Sequence, residues 1–433
     1  MVPLVIEQML FLAVGTIDTV MITNLGEAAV SGVSLGDMIN CVVACAFAAL
    51  GTGGAVVASQ CLGGKRLAQA RESASHLLCL ALAMGVLIMT PMYFLREPLL
   101  KLLFGKIAND VLDAALVYFG ITIFTYPLMS GYAACTAIFR SMNRSNVCMY
   151  FSLLTNVLNL VGNWLLIFVF KMGVAGAAVS TLISRLVTLA LLVLLLADRR
   201  REIWLNFTWR FHINWRMVHS ILFIGIPSGI ENALFSLGRL LVVAIIAKFG
   251  TMELAANAVA NMICGVTNMV GGACCLAIIT VIGQSVGTGS EATVRYYVRK
   301  MTIWSEIGYA AWALVILPFL PLIVRCFHGL APETMHLAIV LILMHCLVGA
   351  VLWTPAFSFP NVLRAANDVK YTMWVSVLSM GIVRIGVAWF LATVFHIGAI
   401  GVWSAMLCDW VVRIFFFVRR YRSGRWVALA HLK

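Results

Sequence analysis

Charge is what this sequence has least of. Asp, Glu, Lys and Arg together make up 11% of it, against about a quarter in a soluble domain. Hydrophobic residues make up 62%, and the mean hydropathy is +1.00, so an ordinary water-soluble fold is excluded. Also missing is the alternation over segments of about ten residues that marks a membrane β-barrel. The twelve cysteines never fall in a C-x-x-C spacing. Cys41, Cys45, Cys79, Cys264 and Cys274 sit inside apolar runs, and the Cys274–Cys275 pair alone makes no metal site. They read as small apolar fillers. The eight histidines are dispersed, with no H-E-x-x-H, and neither G-x-S-x-G nor a P-loop lysine motif occurs. GTGG at 51–54 lies inside an apolar run and reads as close helix packing. No enzyme is expected from this inventory, and no cofactor. Energy for any transport is expected to come from an ion gradient.

What is present is a succession of apolar runs, each long enough to cross a bilayer as a helix. Twelve spans are expected, over roughly 3–24, 30–60, 73–95, 115–138, 147–170, 176–197, 217–247, 255–286, 301–324, 335–360, 371–395 and 399–418. The fold class is therefore an all-α polytopic membrane protein. A formal net charge of +13 would raise the question of nucleic acid in a soluble protein, but its distribution answers it. With the N-terminus inside, the inner segments hold twenty Lys and Arg, among them Arg199, Arg200, Arg201, Arg210 and Lys433. The outer segments hold six: Arg96, Lys101, Lys106, Lys171, Lys248 and Arg325. The positive-inside rule then puts both termini in the cytoplasm of a multi-pass protein of the cell (inner) membrane. Membrane lipid is an expected partner, nucleic acid is not, and the chain is expected to act as a monomer. No cleavable signal peptide is expected, because the first apolar run continues too far and no basic segment precedes it. The sequence opens two residues before Pro3, so a short cytoplasmic leader is expected to lie outside it.

The chain repeats itself. Laid over each other, 3–71 and 227–295 align without a gap. Pro3 meets Pro227, Glu7 meets Glu231, Phe11 meets Phe235, Gly26 meets Gly250, Gln60 meets Gln284 and Arg71 meets Arg295. The same shift pairs Arg140 with Arg364, Asn143 with Asn367 and Gly162 with Gly386; after one inserted residue, Gly173 and Gly176 meet Gly398 and Gly401. Apolar residues match by chance easily, but coincidences at Pro, Glu, Gln, Arg and Asn do not. The unit has six spans, an even number, so both copies start from the same side: a parallel repeat of two six-helix bundles, as in some secondary transporters. The expected division is an N-terminal lobe at 1–197, a polar, basic cytoplasmic linker at 198–216 and a C-terminal lobe at 217–433.

Several stretches also resemble a known family. The first-span pattern P-x-x-x-E-Q…D-T-V-M followed by GEAAVSGVSL is similar to the multidrug and toxic compound extrusion (MATE) transporters. GGAVVASQCLGG, Tyr126-Pro127 with FRSMNRS, NLVGNWLLIF and GVAGAAVSTLIS continue the likeness, and GIPSGIE and LRAANDVKYT answer in the second half. The resemblance covers nearly the whole chain. It implies an antiporter that exports organic cations or drugs in exchange for H⁺ or Na⁺ by alternating access. The alternative is a lipid-linked oligosaccharide flippase of related architecture.

The polar residues inside the spans carry the site expectations, because a charge at the bilayer centre costs about 2.5–3.5 kcal/mol on insertion scales. Glu7 and Asp18 share the first span. Eleven residues apart, at about 100° per residue, they return to within about 20° of each other and can line one track. Asp18 is expected to bind the coupling cation, as the resemblance also implies for an Asp at this point. Asn159 and Asn163, where one branch of the family has N-x-x-x-D, still share a helix face. They are expected to help at the cation site, with Asp18 and Asn159 as ligands if the ion is Na⁺. Glu7, Glu231, Asp37, Tyr126, Trp353 and Phe357 are expected at the substrate site. Glu7 and Glu231 each follow a proline by four residues and have a second reading, as pins for the carbonyl that proline leaves free. Arg239, eight residues after Glu231, is expected to lie near that acid and neutralise it. Asp409 and Arg413 are spaced for an intrahelical salt bridge. Another family branch places acids where this chain has Phe235 and Trp353, which shifts ion coupling toward the first lobe.

Overall fold

The computed structural model describes residues 2–105, 108–205, 213–325, 329, 331–430 and 432. Lys106, Arg210 and Lys433 of the charge tally, and 206–212 of the linker, lie outside the described residues. Twelve helices are long and apolar enough to cross a membrane. They are α1 Val2–Thr23, α2 Glu27–Gly63, α3 Leu67–Phe94, α4 Asn109–Ser141, α5 Ser145–Val169 and α6 Gly173–Leu196, then α7 Trp215–Ala247, α8 Thr251–Gly287, α9 Glu291–Val324, α10 Pro332–Ala365, α11 Val369–Thr393 and α12 Gly398–Arg422. Each overlaps one expected span. Several run longer than the apolar window: α2 and α8, at 37 residues each, reach about 55 Å at 1.5 Å per residue, well past a hydrocarbon core of about 30 Å.

The internal repeat is legible in backbone conformation. Helices α2 and α8 start and stop at equivalent positions of the repeat, Glu27 with Thr251 and Gly63 with Gly287. Both are entered through a glycine in a conformation that L-residues rarely adopt, Gly26 at φ 101° and Gly250 at φ 108°. Only glycine takes that turn without its Cβ clashing. Further positive-φ residues also come in pairs: Lys65 with Gly289 and Asn143 with Asn367 at the same shift, Lys171 with His396 and Gly173 with Gly398 one residue later. Two copies of one chain path therefore turn at the same places.

Irregular helix recurs in both halves. In α5 the α-helix ends at Asn163 and continues as π-helix from Trp164 to Val169. In α11 the segment Ser379–Val387, which contains Arg384, is π-helical. Such widened turns are rare and gather at functional sites.

Two compact units make up the chain, Val2–Gly229 and Ile230–Lys433. The division falls inside α7 rather than in the linker, because the start of α7 packs on α2. A Cβ on Gly53 would lie 2.4 Å from the Ile221 carbonyl oxygen and 3.0 Å from the Gly225 nitrogen, so two backbones touch there. Described parts of the linker are also tied to the first unit. Asn214 donates from its backbone N–H to His76 Nε2 at 2.9 Å and from Nδ2 to Glu72 Oε1 at 2.8 Å. Arg71 Nε donates to the Glu202 carbonyl at 3.1 Å, and its guanidinium lies over Trp204.

Candidate functional site

In the Val2–Gly229 unit, α1 packs against α5, and this brings Asp18 to the amide pair expected from the sequence. Asn163 Nδ2 donates to Asp18 Oδ1 at 2.5 Å and is 3.3 Å from Asn159 Oδ1. Asn159 Nδ2 donates onward to Thr181 Oγ1 at 3.2 Å. Both asparagines are buried. The side-chain carbonyl oxygen of Asn163 is buried with no hydrogen-bond partner, an acceptor left open beside a carboxylate. Unpaired buried acceptors are uncommon because each forfeits the hydration it had in water.

A second network in the same unit joins two further expected residues. Tyr118 donates its hydroxyl to Asp37 Oδ1 at 2.9 Å, and Tyr126 donates to Asn40 Oδ1 at 3.0 Å. Asn40 Nδ2 reaches Asp37 Oδ1 at 3.4 Å and Thr122 Oγ1 at 3.3 Å. Arg185 Nη1 donates to Thr125 Oγ1 at 3.0 Å. Tyr118 and Thr125 both belong to α4, which is remote in sequence from Asp37 and Arg185 and adjacent to them in space.

Glu7 and Glu231 have the same fate in their separate units. Arg140 Nη2 donates to Glu7 Oε1 at 2.5 Å, and Arg364 Nη2 lies 2.5 Å from Glu231 Oε2. All four positions obey the shift of the repeat. Each acid meets an arginine instead of a carbonyl freed by proline. The expected neutralisation of Glu231 by Arg239 is corrected here: Arg364 is the partner. Spacing along α7 suggested Arg239, but α10 supplies a nearer guanidinium across the packing interface.

In the Ile230–Lys433 unit, Trp353 and Phe357 are one turn apart on α10 and form a stacked aromatic series. Tyr309 and Trp353 are parallel to within 7° at 5.1 Å between ring centroids, and Trp353 and Phe357 are 4.7 Å apart. Trp353 is buried. The Asp409–Arg413 pair forms as its spacing predicts, Arg413 Nε donating to Asp409 Oδ1 at 3.1 Å, with the Ser379 hydroxyl donating to the same oxygen. Arg384 Nη1 stops 4.0 Å from Asp409 Oδ2. Its guanidinium lies over the Phe235 ring at 5.3 Å from the centroid. The expected residues thus fall into two sets. Asp18, Asn159, Asn163, Asp37, Tyr126 and Glu7 belong to the first unit, and Glu231, Trp353 and Phe357 to the second.

Two sequence segments, 3–165 and 227–390, each match the MatE family model. The chain belongs to the MatE family. The two matched segments of this MatE protein begin at 3 and 227, which are equivalent positions of the repeat. It is 25% identical to the uncharacterized transporter YisQ of Bacillus subtilis, over 98% of this chain and 93% of YisQ. It is also 25% identical to a probable multidrug resistance protein NorM of Thermotoga maritima, over 97% of this chain and 89% of NorM. Among solved structures, an outward-facing multidrug resistance MATE family transporter of the MOP superfamily superposes with a TM-score of 0.90 at 19% identity, covering 99% of this chain and 94% of that one. The all-helical, twelve-span architecture is therefore that of MATE transporters.

Proposed function

We propose that this MatE-family protein is a secondary antiporter that exports organic cations or drugs in exchange for H⁺ or Na⁺, with the coupling ion bound at Asp18. The observation that carries the reading is the Asp18–Asn163–Asn159 chain on α1 and α5, with a buried Asn163 oxygen left without a partner. A carboxylate with one open amide oxygen beside it suits an exchangeable cation. A proton would neutralise Asp18, and Na⁺ would take the carboxylate and amide oxygens together. The multidrug resistance names of NorM relatives support efflux as the direction, and the matched family does not favour the oligosaccharide flippase. Exchange follows when ion and substrate favour different conformations of the same protein. The cell membrane, with both termini in the cytoplasm, is the location that fits the basic residues.

Dye efflux from proteoliposomes under separately imposed pH and sodium gradients tests this. Export should respond to one gradient, and Asp18→Asn should remove that response while the protein still folds. Efflux indifferent to both gradients and to Asp18→Asn would show the mechanism to be wrong.

A further inference from the structure

The second unit contains a cavity of about 250 Å³ lined by residues including Arg239, Val242, Asn257, Asn261, Arg384 and Trp403. Its charged groups are both arginines, Arg239 and Arg384. Trp403 Nε1 and Asn261 Nδ2 donate to Asn257 Oδ1 at 3.0 and 2.9 Å, which leaves the side-chain N–H groups of Asn257 for the cavity. Arg384 is about nine-tenths buried, and its Nε has no hydrogen-bond partner. The nearest acid, Asp409, accepts from Arg413 and Ser379 at Oδ1, and its Oδ2, buried without a hydrogen-bond partner, lies 4.0 Å from Arg384. Arg239 forms no ion pair or hydrogen bond among the described residues. Arg384 and Arg413 thus share one carboxylate within membrane-spanning helices, Arg239 has none, and no acid lines the cavity. Charge in that setting is costly unless something compensates it.

The repeat sharpens the point. Carried from the first copy to the second, Asp18 becomes Val242 and Asp37 becomes Asn261, while Gly15 becomes Arg239 and Leu160 becomes Arg384. All four second-copy residues line the cavity. At corresponding positions the first unit presents two acids, and the second presents two arginines in place of neutral residues.

We propose that this cavity is an anion site that takes the carboxylate or phosphate of an amphipathic organic substrate. Among the drugs of the efflux reading above, on which this assignment rests, the site selects zwitterions and anions with an apolar body. Guanidinium groups bind such oxygens through paired, charge-assisted hydrogen bonds, and Val242, Leu254, Val402, Met406 and Trp403 offer the apolar wall. A volume of about 250 Å³ seats one end of a ligand, since drug-sized pockets run from about 300 to 1,000 Å³.

The test uses the full-length protein in phosphatidylcholine nanodiscs and two dyes, rhodamine B with its free carboxylate and rhodamine B methyl ester with that acid capped. Fluorescence anisotropy should show the acid binding about tenfold tighter than the ester, about the 1.4 kcal/mol expected at the low end for a hydrogen bond to a charged group. Arg384→Gln and Arg239→Gln should each weaken acid binding about tenfold and leave the ester unchanged. Arg239 is exposed, so its variant reports on the site even where the buried Arg384 variant fails to fold. Equal binding of the two dyes by the wild type, or variants that alter both dyes alike, would overturn the anion site. So would loss of acid binding on adding phosphatidic acid with no loss on adding phosphatidylglycerol at the same mole fraction, which would give the cavity to a lipid phosphate monoester. Gradient-driven export of both dyes in proteoliposomes is scored separately. Acid binding sensitive to Arg239→Gln without export supports the anion site and removes the antiport reading. Export of the ester with no preference for the acid supports antiport and removes the anion site.

Discussion

Glu7 and Glu231 show how a single residue type can mislead until its partner is known. As intramembrane acids they invite a role as cation ligands, yet each is buried against an arginine at equivalent places in the two units. Removing one member of a buried pair leaves the other charged and uncompensated, at a cost of about 3–5 kcal/mol. Glu7→Gln and Glu231→Gln should therefore each destabilise the protein by about 3 kcal/mol, read as a lower denaturation midpoint in detergent, while dye affinity stays unchanged. A loss of affinity with no loss of stability would assign them to substrate instead. The Arg140 and Arg364 partners were present in the sequence as matched residues of the repeat. Nothing in a linear chain says that a first-span acid faces a fourth-span arginine, because side-chain meetings depend on how helices rotate and cross.

Elements in this protein are positioned by close backbone approach, and α8 against α10 is the clearest instance. A Cβ on Gly271 would come within 1.9 Å of the Trp353 ring, so the glycine is what lets Trp353 lie flat between Tyr309 and Phe357. Gly271→Ala should cost about 1–3 kcal/mol by overpacking, and Gly271→Ala combined with Trp353→Leu should cost less than the two changes summed. Thermal unfolding of the single and double variants measures that coupling. The helices themselves were readable from hydropathy alone, because an apolar run of bilayer length has no other way to satisfy its backbone in lipid. Their π-helical stretches at Trp164–Val169 and Ser379–Val387 were not. A one-residue widening leaves the apolar pattern almost unchanged.

At the scale of the whole molecule, the duplicated design sets the expectation for topology. Two six-span copies in series, with Lys and Arg concentrated in one set of connecting segments, put Thr288 on the cytoplasmic side and Lys171 outside. On a background without native cysteines, Lys171→Cys should react with a membrane-impermeant maleimide in intact cells. Thr288→Cys should react only after permeabilisation, and the reverse pattern would invert the proposed orientation.

By itself the sequence determined the fold class, the twelve spans, the repeat and the residues worth asking about. Each of these follows from composition and periodicity, which the bilayer reads without reference to neighbouring helices. Only the tertiary structure decided what those residues meet. It gave Asp18 to Asn163, Glu231 to Arg364 rather than Arg239, and Trp353 to an aromatic stack. It also gathered Val242, Asn261, Arg239 and Arg384 around one cavity. The physical reason is that a buried charge is defined by its compensation, and for Glu7 and Glu231 that compensation comes from helices far apart in the chain.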